Sequence, residues 1–232
     1  MCIRDSTETV RLALSMYLSH DTGTRELYTD LGYLALGEIV TRLTNKPLNQ
    51  FAHDEIFHPL AMVDTSFNPR EELHWRCAAT EDNPARGGII IGEVHDEKAY
   101  LMNGVAGHAG LFSTAPDLMR FGRMILGQGR FEGTRILSTA AAEALIRNQT
   151  PHLPSARGLA WALSPNTGFS FDDLAGPRAC VHTGFTGTSI YLDPDEDMVA
   201  ILLTNRVHPS RNNTAYFRLR AHFHNALNAA LR

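Results

Sequence analysis

Apolar residues recur at intervals of three and four from Leu31 through Leu34, Ala35 and Ile39 to Leu43, a period that predicts a helix. Asp30 is a candidate cap at its start, and Asn45 with Pro47 stop it. Pro47 then opens a second helix with Leu48, Phe51, Ala52 and Ile56 on one face. A modest helix over 7–19 precedes both, with Val10, Leu12, Leu14, Tyr17 and Leu18 at helical spacing and a turn-rich cluster from Ser19 to Gly23. The stretch Pro59–Pro84 has no period, although Leu60, Met62 and Phe67 read as core. Ile89–Ile91 is strand-like, and Gly92–Gly110 reads as one long loop rich in Gly, His and Asn. Thr114 and Asp117 have the spacing of a capping box with Pro116 in the first turn. They start a helix with Leu118, Phe121, Met124 and Ile125 as its stripe and Gly127 as its end. Another helix runs from Ser138 to about Arg147.

Past the Pro-containing loop Thr150–Pro154 the texture changes. Strand patterns occupy Gly158–Leu163, Cys180–Thr183, Thr188–Leu192 and Met198–Thr204, with a tight turn at Asp193–Glu196. A closing helix over Thr214–Leu231 offers Phe217, Phe223, Leu227 and Leu231 to the sheet. Hairpin-linked strands imply an antiparallel sheet, and helices followed by a sheet and a covering helix give the α+β class. The organisation expected is one domain over 1–232, with a mainly helical part over 7–150 and strands plus the closing helix over 151–232.

Composition narrows the function classes. A formal net charge of −4 gives no support to a nucleic-acid partner. The longest apolar runs, such as Met198–Leu203, are strand-sized and too short to cross a membrane. Cys2, Cys77 and Cys180 are scattered and form no C-x-x-C, so neither a disulfide framework nor a zinc knuckle is implied. Met1–Ser6 has no pattern of its own and no signal segment, which leaves the compartment open.

The densest candidate chemistry lies in Val181–Ser189, where His182, Thr183, Gly184, Phe185, Thr186 and Gly187 follow one another. Two glycines within four residues let the backbone approach a ligand, and His182 titrates near neutrality. A strand histidine bonded to a neighbour is the plainer reading of the same residues. Tyr28, ahead of Asp30, is a second candidate, because the positive end of a helix stabilises a phenolate that serves as a general base. A buried aromatic at a helix start is its plainer alternative. His95, Asp96 and His108 are conceivable metal ligands, but their spacing matches no zinc pattern, and no metal or cofactor is expected. The chain has only two lysines, Lys46 and Lys98, preceded three residues earlier by Leu43 and His95, so it contains no Ser-x-x-Lys. Gly-x-Ser-x-Gly is absent as well.

Taken together, Tyr28-Thr29-Asp30-Leu31-Gly32-Tyr33, Leu36-Gly37-Glu38-Ile39-Val40 and His182-Thr183-Gly184-Phe185-Thr186-Gly187 resemble the serine β-lactamase-related family of class C β-lactamases, DD-peptidases and esterases. Gly92–Glu97, Gly107–Thr114 and Thr204–Pro209 resemble one subset of it. The resemblance implies a β-lactamase/transpeptidase-like fold and a serine that forms an acyl-enzyme. It implies that Tyr28 shuttles a proton, with Asp30 where asparagine is commoner. It further implies that His182, Thr183 and Gly184 hold substrate on an edge strand and that the Phe185 N–H is one of two oxyanion donors. Asp30 would place a negative charge beside Tyr28 and resist phenolate formation. The family's nucleophile and its lysine lie upstream of the tyrosine motif. The expectation is therefore a C-terminal part of a serine hydrolase, lacking the N-terminal strands and nucleophile helix and inactive alone. Its partners would be a peptide or small-molecule substrate and the remainder of the same protein. A non-catalytic relative that binds peptidoglycan-like or acyl ligands is the alternative from another class.

Overall fold

The computed structural model of the chain describes residues 6–164 and 173–231. Met1–Asp5, and Cys2 with them, lie outside the described residues. The chain forms two compact units, Met1–Ser113 and Thr114–Arg232, whereas its sequence changes texture near residue 150.

In the first unit, α1 (Ser6–Ser15) packs on α2 (Asp30–Thr44), followed by α3 (Leu48–Ala52), which runs on as a π-helical turn over His53–Phe57. Thr29, rather than Asp30, caps α2: its Oγ1 accepts the Leu31 N–H at 3.2 Å, and Asp30 becomes the first helical residue. Asn45 ends α2 in the left-handed conformation. Of the predicted apolar stripe only Leu34 is buried, whereas Leu31, Ile39 and Leu43 face solvent. Short ladders follow: β1 (Ser66–Phe67), β2 (Asp82–Asn83) and β3 (Gly88–Ile89). Leu60 and Met62 are buried as expected, while Phe67 is half-buried. The stretch expected to be one loop contains a helix, α4 (Glu97–Leu101), because Asp96 Oδ1 accepts the Ala99 N–H at 2.8 Å and caps it. β4 (Leu111–Phe112) then pairs antiparallel with β1. Val10, Leu34, Val94, Ala99, Met102 and Ala106 make the core. Gly107 explains the glycines there, since a Cβ at that position would overlap the Tyr33 carbonyl of α2.

In the second unit, Thr114 caps α5 (Ala115–Leu126) through the Asp117 N–H at 3.4 Å, and Gly127 ends it. A ladder of β5 (Arg130–Phe131) and β6 (Thr134–Arg135) leads to α6 (Thr139–Ile146), capped by Ser138. The sheet is antiparallel, ordered β10-β9-β8-β7, with β7 (Ala162–Leu163), β8 (Cys180–Thr183), β9 (Thr188–Asp193) and β10 (Met198–Leu203). β7 is shorter than its pattern because the chain turns back at Gly158–Trp161, with Ala160 at φ 75° and Arg157 bridged to Ala162.

The register of β9 gives the sheet two different faces. Leu192 points toward α5, where the missing side chain of Gly122 lets Val199 and Leu192 approach. Ser189 and Tyr191 point the other way, onto α7 (Tyr216–Leu231). The buried stripe of α7 is Tyr216, Arg220, His224 and Asn228, four apart on one face. Phe217 and Leu231, expected against the sheet, are exposed, whereas Leu227 does join the core with Ala162, Ala179, Val181, Tyr191 and Ala200.

Candidate active site

The predicted site residues fall in both compact units, and those of each unit are described by themselves. In the first unit Tyr28 stands two residues ahead of α2 with 86% of its surface exposed, so it is not a buried aromatic. Asp30, in the first turn of α2, accepts from the Lys98 ammonium at 2.6 Å. Asp30 holds Lys98 above its ordinary protonation range by that hydrogen bond. The negative charge expected to oppose a Tyr28 phenolate therefore carries its own counter-ion. The second lysine, Lys46, is held by Asp54 and Glu55.

Of the three candidate metal ligands, the fold keeps two together. His95 turns to Glu81 at 3.0 Å, while His108 Nε2 meets Asp96 Oδ1 at 2.9 Å. Burial alone would raise the Asp96 pKa, but the hydrogen bonds from His108 and the Ala99 N–H outweigh it and hold the group down at about 2. Asp30, Asp96 and His108 bring ligand-capable atoms within 4.8 Å of one another. The donor set does not suit a metal. The Lys98 ammonium already serves Asp30, and the buried His108 Nδ1 has no hydrogen-bond partner among the described residues. A ligating imidazole normally needs an acceptor there.

In the second unit His182 lies on β8 opposite Ile190, on the sheet face shared with Leu192. Its side chain reaches solvent and meets the edge of Trp161 at 6.3 Å. Desolvation, followed by the charge of Arg157, lowers its pKa from the ordinary histidine value. The imidazole can accept or donate a hydrogen bond at the end of β8.

Thr183 pairs with Ser189 across the ladder, and the chain then reverses over Gly184–Gly187. The Gly187 N–H donates to the Gly184 carbonyl at 3.1 Å, and the Gly184 N–H donates to the Thr188 carbonyl at 2.8 Å. Because C=O and N–H of a trans peptide point oppositely, engaging the Gly184 carbonyl inside the turn aims the Phe185 N–H outward. Both glycines are needed. A Cβ at Gly184 would overlap Thr188 Oγ1, and Gly187 sits at φ +111° with a Cβ position 2.7 Å from Thr204 Oγ1. The turn thus presents a backbone donor beside the exposed His182, an arrangement suited to holding a carbonyl oxygen as it gains charge. Sequence reasoning found this turn from its Thr/Gly density. It missed Lys98, which lies 68 residues from Asp30 and has no local signal.

A family model described as Beta-lactamase matches residues 4–223. Among curated proteins the chain is 34% identical over 219 residues to an N-acetylmuramyl-L-alanine amidase of Bacillus subtilis, covering 88% of this chain and 50% of that protein. It is 32% identical over 221 residues to a putative D-alanyl-D-alanine carboxypeptidase of Escherichia coli K12, again covering 88% and 50%. The chain therefore spans about half the length of the curated relatives it matches. Among solved structures, simvastatin synthase from Aspergillus terreus superposes with a TM-score of 0.69 at 18% identity, over 97% of this chain and 61% of that one. A penicillin-binding protein homologue from Caulobacter crescentus also gives 0.69 at 18% identity, over 94% and 63%. At such identities these two likenesses concern the fold.

Proposed function

The chain belongs to the β-lactamase family, and on that premise we propose that it is the substrate-holding part of a serine hydrolase that works through an acyl-enzyme on an amide, ester or D-amino-acid peptide. The observation that carries this reading is the Gly184–Gly187 turn beside His182 and Thr183, where the Gly187 N–H engages the Gly184 carbonyl and so turns the Phe185 N–H away from it. In this role the Phe185 N–H holds the developing oxyanion, while His182, Thr183 and Gly184 position the substrate along β8. The exposed Tyr28 phenol carries the proton between nucleophile and leaving group, and Asp30, balanced by Lys98, fixes the start of α2 next to it. The relatives named N-acetylmuramyl-L-alanine amidase and putative D-alanyl-D-alanine carboxypeptidase favour a D-alanyl or muramyl-peptide substrate.

No Ser-x-x-Lys occurs in the 232 residues. In this reading the nucleophile belongs to another part of the protein, and this polypeptide is inactive alone. Two features support a missing part. β10 has no strand on its outer edge among the described residues, and α2 exposes Leu36, Ile39 and Leu43. The same lack of a nucleophile favours, as a second reading, a binding protein for acyl or peptidoglycan-like ligands.

Intact-mass measurement after treatment with a fluorophosphonate or a β-lactam tests the proposal. The 232-residue chain should carry no adduct. The product of the complete gene should carry one, on a serine of Ser-x-x-Lys, and Tyr28→Phe should lower its turnover about a hundredfold or more. Stoichiometric labelling of the short chain at any serine would sink the proposal. A complete gene without Ser-x-x-Lys would leave the binding protein standing instead.

A further inference from the structure

The Gly184–Gly187 turn is held from behind by one short segment, Thr204–Arg206. The Gly187 carbonyl accepts from Thr204 Oγ1 at 2.5 Å and from the Thr204 N–H at 3.3 Å. The Thr186 carbonyl accepts from the Arg206 N–H at 2.9 Å, and the Phe185 carbonyl from Arg206 Nε at 2.7 Å. Three consecutive carbonyls of the turn are thus drawn to one side. Three of these four hydrogen bonds come from backbone N–H groups or the Thr204 hydroxyl just past β10, whereas the Phe185 carbonyl is held by the Arg206 guanidinium.

That side chain is buried, with 7% of its surface exposed. Besides the bond to Phe185, Arg206 Nη1 donates to the Arg211 carbonyl at 2.9 Å and the Asn213 carbonyl at 3.2 Å. The guanidinium lies over the Phe185 ring at 4.3 Å from its centroid and 5.2 Å from that of Phe217, at the start of α7. A buried cation bonded to carbonyls and aromatic faces serves to fix geometry, because its planar fork satisfies several acceptors at once.

We infer that Arg206 is a positioning residue for the oxyanion-holding turn: by clamping both the carbonyl and the ring of Phe185, it sets the direction of the Phe185 N–H. The inference rests on the reading of that N–H as an oxyanion donor, and it adds a residue that touches neither substrate nor reacting atoms. A donor must lie within a few tenths of an ångström of its ideal place to stabilise an oxyanion, whereas Phe185 itself sits on an exposed turn. The fork supplies the restraint that exposure removes. Lysine at this position keeps the charge over the rings but has a single nitrogen, which cannot reach three carbonyls in one plane.

Amide hydrogen exchange on the 232-residue chain tests the clamp without needing turnover. In Arg206→Met the Gly187 and Gly184 amides should exchange at least about tenfold faster, while Val181 and Tyr191 in the β8–β9 ladder keep wild-type rates. Arg206→Lys should fall between the two. Uniform acceleration in both variants, or no selective change at the turn, would overturn the inference. A second arm separates it from the reading beneath it: titration with a D-alanyl phosphonate, a tetrahedral oxyanion mimic, should move the Phe185 amide resonance in wild type and less in Arg206→Lys. A phosphonate that moves no turn amide while the exchange effect is present removes the oxyanion role and leaves the clamp.

Discussion

The two longest helices among the described residues, α2 and α7, bury opposite kinds of side chain. α2 carries an apolar stripe at helical spacing, yet only Leu34 is buried (2% exposed), while Leu43 is 81% exposed. α7 buries Tyr216, Arg220, His224 and Asn228 and leaves Phe217 and Leu231 in solvent. The reason for α7 lies in what it covers. That sheet face presents Ser189 and Tyr191, and His224 Nε2 lies 3.2 Å from Ser189 Oγ while Asn228 donates to the Tyr191 hydroxyl at 3.1 Å. Tyr191 in turn reaches Asp193, whose other oxygen accepts the Asp195 N–H of the hairpin turn. The polar residues of the helix stripe meet the polar groups of this otherwise apolar face, because a buried polar group costs free energy unless it finds a partner. On α2 Leu34 of the apolar stripe is buried while Leu31, Ile39 and Leu43 are exposed, and on α7 Leu227 joins the core while Phe217 and Leu231 do not, so periodicity found only part of the buried side of each helix.

The comparison breaks most visibly at Tyr191, which is fully buried and stacks on His224 at 5.1 Å. Tyr191→Ala should cost about 3–5 kcal/mol, from lost burial together with the unpaired partners left behind. Urea unfolding of the 232-residue chain reads this directly, and a loss under 1 kcal/mol would mean that the α7 face contributes little.

Next in size is a pH effect. Desolvation, then the charge of Arg220, holds His224 down at about 4, below the ordinary 6.5 of a histidine. The unfolded chain therefore binds more protons than the folded one between those values, and stability rises with pH across the window. The contribution is complete above pH 6.5 and is lost as the pH falls toward 4, amounting to about 3 kcal/mol. His224→Gln, which cannot gain a proton, should flatten that part of the stability–pH curve. An unchanged slope would place the proton elsewhere.

The smallest effect belongs to α2. Leu43→Ser should change the stability of the 232-residue chain by no more than about 0.5 kcal/mol, since an exposed side chain has little burial to lose. A cost above 1 kcal/mol, or a shift in sedimentation on substitution, would mean that the face is covered in solution.

Much of the site was legible in local sequence. The Gly184–Gly187 turn follows from two glycines that a Cβ would exclude, and β8, β9 and β10 lie within one residue of their predicted ranges, since alternation and turn chemistry are local signals. The cap at Thr114 was equally readable, because a capping side chain bonds only two or three residues ahead, and the helix start read at Ser138 is where Ser138 caps α6. Other features were not. The same capping rule applied to Asp30 chose the wrong neighbour, as Thr29 takes the cap and Asp30 turns to a lysine 68 residues away. Asp96, read as part of a loop, caps α4 and binds His108.

The sequence by itself pointed to the α+β class, the antiparallel strands, the family and the Thr/Gly segment between β8 and β9, through patterns each spanning a few residues. Only the tertiary structure decided that Lys98 balances Asp30, that α7 lies polar side down, and that Arg206 clamps the Phe185 carbonyl from 21 residues away. The physical reason is the same in each case. Ion pairs and buried hydrogen bonds depend on which groups the fold brings within about 3 Å, and that proximity leaves no trace in the spacing of residues along the chain.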